Sequence, residues 1–202
     1  MDNNEFEYVD LGLPSGTLWA KCNVGAESET DYGLYFAWGE VIGYPLRQIH
    51  MFDENNYQHY VHDYSIVDDN SIVDDNKSND FPMLRTEWDA AHVNMGGRWK
   101  MPNYEQAKEL LSLEQKIVNI DKVKCVQFNG INGNTLLVPC GGNRGSNKSF
   151  GVNVAAHLWT SQHSKTITGS AMTFDLFRGK EKFETGHITV HLGINVRGVI
   201  DT

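Results

Sequence analysis

Between Asp89 and Leu111 the chain reads DAAHVNMGGRWKMPNYEQAKELL, and no other stretch of its 202 residues carries a comparable helical signal. Two short helices are therefore expected, and strands and loops must supply the rest. The first is predicted to begin at Thr86, a residue able to cap a helix. Glu87 and Asp89 then fall in the first turn, where the helix dipole favours acids, and Gly96 marks the end. The second is predicted after Pro102, with Asn103 as N-cap and Gln106 three residues on in a capping-box arrangement, running through Leu110 and Leu111.

Around these helices the periodicity is that of short strands. FEYVDL (6 to 11) alternates as a half-buried strand does, LPSG (13 to 16) is a turn, and TLWAKCNVG follows as a second strand, giving an N-terminal hairpin. YGLYFAWGE (32 to 40) places Tyr35, Phe36 and Trp38 in or near the core. KVKCVQF, the turn-rich NGINGN and TLLVPCGG read as a second hairpin. GGNRGSN reads as a Gly/Asn loop, and strands are expected around 157 to 161, 171 to 178, 187 to 192 and 194 to 200. The fold class is α+β, two helices packed on short, mostly antiparallel β-sheets with long loops, in one domain over 1–202. An insertion-like loop region at about 41–82 interrupts it and contains SIVDDNSIVDDN (65 to 76), a hexamer copied once.

Composition narrows the partners. A net charge of −9 without a Lys/Arg cluster removes the electrostatic term on which nucleic-acid binding depends. The same sign is repelled by anionic bilayers, and no apolar run approaches the roughly 20 residues of a spanning helix, so membrane insertion is not expected. MDNNEFEYVDLG lacks the basic and apolar regions of a secretory signal, which implies either use without that export route or a removed leader. Cys22, Cys125 and Cys140 allow at most one bridge and are expected to be buried free thiols.

Local signatures of chemistry are sparse. His59 and His62 with Asp63, and His187 with His191 on one face of a strand, are the two pairs with metal-ligand spacing, and neither has a third ligand nearby in sequence. Asp68, Asp69, Asp74 and Asp75 carry hard oxygen ligands for calcium, but their spacing is not that of an EF-hand loop. CGGNRG (140 to 145) is the nearest thing to an anion cradle, and a loop whose glycines supply positive φ accounts for it more simply. Cys140 has no basic or helix-terminal neighbour in sequence to raise its thiolate fraction. No catalytic residue, metal or cofactor is assigned.

Taken in order, YVDLGLPSGTLWAKCNVGA, YGLYFAWGE, WDAAHVNMGGRWKMPNYEQAKELL, GINGNTLLVPCGGNR, LWTS and GINVRGVI resemble the motif series of the Fibrobacter succinogenes major paralogous domain family, over about 8 to 200. The resemblance implies a C-type-lectin-like fold related to that of formylglycine-generating enzymes. It implies that the 89–111 segment braces the fold, with Gly96 and Gly97 reversing the chain and Trp99 and Met101 facing the core. Formylglycine-generating enzymes need a cysteine pair in their C-terminal part, where this chain offers only Cys140, so their activity is not carried over. The calcium motifs of sugar-binding C-type lectins are also missing.

Proteins of this fold class serve as display frames whose C-terminal segment carries the ligand surface, in some cases diversified by retroelements in phages and bacteria. Here that stretch, 143 to 195, mixes Asn, Ser, Thr, His and Arg with Trp159, Phe174 and Phe177, a composition suited to adaptable recognition. The expected function is non-enzymatic binding of a protein or glycan, through Asn143, Arg144, Asn147, His157, Trp159, Gln162, His163, Arg178 and His187. Two alternatives stay open: a structural subunit of a surface or phage fibre, and an enzyme using Cys140 or a histidine-bound metal.

Overall fold

A computed structural model describes residues 6–58, 73–74, 83–164, 166–167 and 169–202. Among them are only two α-helices, α1 (Ala90–Met95) and α2 (Tyr104–Leu111), and the remaining regular structure is almost all β. The N-terminal hairpin forms as expected. Strands β1 (Tyr8–Asp10) and β2 (Leu18–Ala20) pair antiparallel, and β16 (Val199–Ile200) adds to the other side of β2, so the two ends of the described chain share one sheet.

The largest sheet contains β3 (Leu34–Phe36), β4 (Tyr44–Pro45), β5 (Val73–Asp74), β6 (Met83–Leu84), β12 (Ala156–His163), β13 (Ser170–Leu176), β14 (Glu184–Thr189) and β15 (Ile194–Asn195). Its order is β14-β13-β12-β15-β3-β4, with β6 on β12 and β5 on β6; β12 and β15 run parallel and the other pairs antiparallel. A three-stranded antiparallel meander holds β7 (Glu114–Ile120), β8 (Val123–Asn129) and β9 (Thr135–Pro139). The Gly/Asn stretch expected to be a loop is a hairpin instead, β10 (Asn143–Gly145) on β11 (Lys148–Phe150). Glycine is required at Gly142, just before it. Its φ is +67°, and a Cβ there would collide with the carbonyl oxygen of Phe150.

The helices follow local chemistry, with one correction. Asn103 caps α2 by accepting the Gln106 N–H at 2.8 Å, and Gln106 Oε1 accepts the Asn103 N–H at 3.0 Å, so the capping box closes. Thr86 caps nothing: Thr86–Trp88 is a 3-10 turn, and α1 is capped by Asp89, whose carboxylate accepts the N–H groups of His92 (2.9 Å) and Met101 (2.8 Å). The bond to Met101, twelve residues on, holds the chain reversal that follows Gly96 and keeps Met101 in the core.

Helix α2 lays Ala107 and Leu110 against β12, β13 and β14, in a core with Trp19, Phe128, Leu158 and Phe174. A second core gathers Tyr35, Phe36, Trp38, Phe52, Trp159 and Ile194. Arg197, fully buried, ties sheets together without a carboxylate partner among the described residues. Its guanidinium donates to Asn23 Oδ1 and to the carbonyls of Ala20, Lys21 and Leu137, and burial brings its pKa down to about 10. Among the described residues no helix is long and apolar enough to cross a membrane.

Candidate functional site: a strap and a hairpin joined by Arg144

Four of the nine candidate contact residues lie along β12, and all four point into the protein. Trp159 is core, and its indole N–H donates to the Phe36 carbonyl at 2.8 Å. His157 Nδ1 lies 2.9 Å from Asp175 Oδ1, and Asp175 Oδ2 accepts the Thr173 hydroxyl at 2.6 Å. The carboxylate fits because residue 186 is glycine, since a Cβ there would overlap Asp175 Oδ2. Gln162 Oε1 accepts the Tyr104 N–H at the start of α2 (2.5 Å), which locks β12 to that helix. His163 packs on Trp38, ring centroids 5.4 Å apart, with its Nε2 buried and unpartnered, and burial lowers its pKa. The row is internal structure, sealed from any large ligand.

The structure separates the remaining five. Arg178 is exposed just beyond β13, and His187 is exposed on β14. Asn143, Arg144 and Asn147 belong to the β10–β11 hairpin, where Asn143 is half-buried, Asn147 is exposed at the turn, and Arg144 is 2% exposed.

Arg144 turns inward to hold a neighbouring segment, residues 45–52, which crosses the hairpin as a strap. Its two terminal nitrogens donate to the carbonyls of Pro45 (3.2 Å) and Gln48 (2.5 Å). The guanidinium carbon lies 5.0 Å from the Phe52 ring centre and 5.9 Å from that of Tyr35. Among the described residues no carboxylate pairs with this cation, and burial lowers its pKa. Phe52 and Ser146 exchange backbone hydrogen bonds of 3.0 and 2.8 Å, and Tyr44 stacks on His50 with ring centres 3.5 Å apart. Arg144 and Gly193 exchange a further backbone pair, which anchors the hairpin to the segment before β15.

With its inner side fixed, this assembly turns apolar side chains outward. Ile49 is 86% exposed, Phe150 53% and Met51 40%. Phe150 lies over Gly145, beside Leu192. The strap is fixed at the Pro45 and Gln48 carbonyls by Arg144 and at Phe52 by Ser146, and Ile49 and Met51 lie between these fixed points. Sequence patterns pointed to the hairpin polar residues and missed Tyr44, Ile49, His50, Met51, Phe52 and Phe150. The missed signal is the density of large apolar residues in YPLRQIHMF, higher than a solvated loop needs.

The other candidate chemistry is dispersed. All three cysteines are free; Cys125 and Cys140 are buried, and burial pushes their thiols up to about 11 and about 12. β14 ends at Thr189, so His191 does not share a strand face with His187; it lies near Asp53 and Glu54. His59, His62, Asp63, Asp68, Asp69 and Asp75 lie outside the described residues, and Asp74 is described only as backbone in β5. Among the described residues no three His, Cys, Asp or Glu side chains are grouped to hold a metal ion. A cleft of about 370 Å³ beside Lys21 and Cys22 and a polar one of about 540 Å³ between Thr17, α2 and Asp201 contain none of the nine candidates. No protein-family model, curated protein or solved structure matches the chain.

Proposed function

We propose that this chain is a binding protein of C-type-lectin-like fold that presents a fixed surface to a protein or glycan partner and does not run a reaction. The observation that carries the proposal is the pairing of a buried Arg144, without a carboxylate partner among the described residues, with the exposed Ile49, Met51 and Phe150 that it helps to hold out. A contact surface ordered before its partner arrives loses less conformational entropy on binding than a mobile one. The paired helices between Ala90 and Leu111 and the short antiparallel sheets joined by long loops support the lectin-like frame.

The experiment is to probe glycan and protein arrays with the purified chain and with two surface variants, Ile49→Asp and Phe150→Ser. Ligands that the wild type binds are expected to lose at least about tenfold in affinity with each variant, the effect of withdrawing one large apolar contact. Unchanged affinity in both would move the contact surface elsewhere.

A further inference from the structure

Asn-Gly occurs twice in the sequence, at Asn129–Gly130 and Asn132–Gly133, and both pairs fall where β8 turns into β9. An asparagine side chain lies within reach of the backbone nitrogen that follows it, and glycine, with no Cβ, leaves that nitrogen least hindered. The structure treats the two pairs differently. Asn129 is half-buried at the end of β8 and is paired on both sides, with Glu114 of β7 and Thr135 of β9. Its Nδ2 donates to Glu114 Oε2 and its Oδ1 accepts from Gln127 Nε2, each at 2.7 Å. Gly130 donates its N–H to the Asn134 carbonyl at 2.8 Å and lies against Leu11, whose carbonyl oxygen a Cβ at 130 would meet at 2.7 Å. Asn132 and Gly133 are exposed at the tip, and a Cβ on Gly133 would meet nothing within 4 Å. Their hydrogen bonds lie at the surface. Asn132 Nδ2 donates to the Asp10 carbonyl at 2.9 Å, its Oδ1 accepts the Asn134 N–H at 3.1 Å, and the Gly133 N–H donates to the Gly130 carbonyl at 3.1 Å.

We infer that Asn132 is a site of spontaneous deamidation, and that its reaction releases the turn from the chain that leaves β1. The Gly133 nitrogen attacks Asn132 Cγ. A Cγ–N bond forms, the Cγ–Nδ2 bond breaks, and Nδ2 leaves as ammonia with the proton that Gly133 gives up. Water then opens the cyclic imide at one carbonyl or the other and leaves aspartate or isoaspartate at position 132. Asn129 carries the same dipeptide, but it must leave two strands and both side-chain partners before its Cγ can approach Gly130, so the ladder protects it. The consequence follows from what Asn132 holds. Asn132 and Asn134 both donate through Nδ2 to the Asp10 carbonyl, at 2.9 and 2.8 Å, and the Ile131 N–H donates to the Leu11 carbonyl at 2.9 Å. Replacing the Asn132 amide by a carboxylate removes one of these donors and sets a negative charge against the carbonyl oxygen of Asp10, itself an acid. Isoaspartate also lengthens the backbone of the turn by one methylene. The N-terminal hairpin is thereby loosened from the meander while β7, β8 and β9 stay paired.

Peptide mapping by mass spectrometry tests the site, on the purified chain held at mildly alkaline pH both folded and in denaturant. Relative to its rate in denaturant, conversion in the folded chain is expected to be slowed at least about tenfold more at Asn129 than at Asn132, because only Asn129 must first open a ladder. Asn129 converting as fast as Asn132 in the folded chain overturns the proposal. So does a folded chain that keeps Asn132 intact over a period in which the denatured chain converts both. Hydrogen exchange reads the consequence. In the converted protein, and separately in Asn132→Asp, the Ile131 amide is expected to exchange at least about threefold faster than in the starting protein. Val126, paired with both Ile117 and Val138, should exchange as before. An Ile131 amide that keeps its full protection in both proteins would show the turn still clamped to Leu11 and overturn the release.

Discussion

Strand β12 and the strap that crosses the hairpin make opposite use of similar side chains. Along β12, His157, Trp159 and Gln162 each hold a protein partner inside the fold, and the strand is buried along its full length. On the strap and hairpin one buried cation donates to two strap carbonyls, its Nε left without a partner among the described residues, and three large apolar groups are left to solvent. Residue type did not separate the two regions. His, Trp and Gln suit recognition in either setting, and what decides their role is whether the strand beneath them is covered on one face or both.

The largest effect should come from emptying the interior. Trp159→Ala removes a fully buried indole from the core of Tyr35, Phe36 and Trp38 and strands the Phe36 carbonyl, so a loss of about 3–5 kcal/mol of unfolding free energy is expected in denaturant titration. Phe150→Ala should change stability by no more than about 0.5 kcal/mol, because its ring is half in solvent. Comparable losses in the two variants would erase the contrast between the regions.

A medium effect is expected at the His157–Asp175 pair. Both side chains are buried, the bond is 2.9 Å, and Thr173 occupies the second carboxylate oxygen. A double-mutant cycle with His157→Ala and Asp175→Asn should give a coupling energy of about 1–3 kcal/mol. Coupling near zero would mean that water reaches the pair and that the β12 row is less sealed than its burial implies.

How much of this could be read from the sequence depends on how local each cause was. The α2 capping box lies within four residues, and its start was legible to the residue. The start of α1 was displaced because Asp89 is fixed by the Met101 backbone, a contact no local pattern carries. β7 was missed because the polar residues of EQKIVNI break the alternation; its pairing with β8 is set by the Asp121–Lys122 turn, where both residues have positive φ. The hairpin at 143–150 was hidden by its Gly and Asn content and is held from outside, by Phe52 and Gly193. The candidate residues on β12 stand out in sequence by side-chain chemistry alone. HLWTSQH looks half-exposed in sequence, yet Trp38, Tyr104, Met172 and Asp175 arrive from distant segments to satisfy it.

His163 gives the smallest and sharpest test of the same contrast, because its buried Nε2 has no hydrogen-bond partner among the described residues. Its Nε2 has no partner, and burial against Trp38 lowers its pKa, so the folded state favours the neutral ring more than the unfolded chain does. The stability this contributes is fully present above the unfolded value of about 6.5 and is lost as pH falls through the lower folded value. Wild-type unfolding free energy should therefore decline as pH is lowered below that point. In His163→Leu part of the decline should disappear, leaving the share of His50 and His191, whose pKa values burial also lowers. Above neutrality the variant should lie within about 1 kcal/mol of wild type or be more stable, since an apolar group replaces a buried nitrogen that has no partner. An unchanged slope would mean that His163 is hydrated in solution, and the β12 row would then contain a water path where the structure places packed side chains.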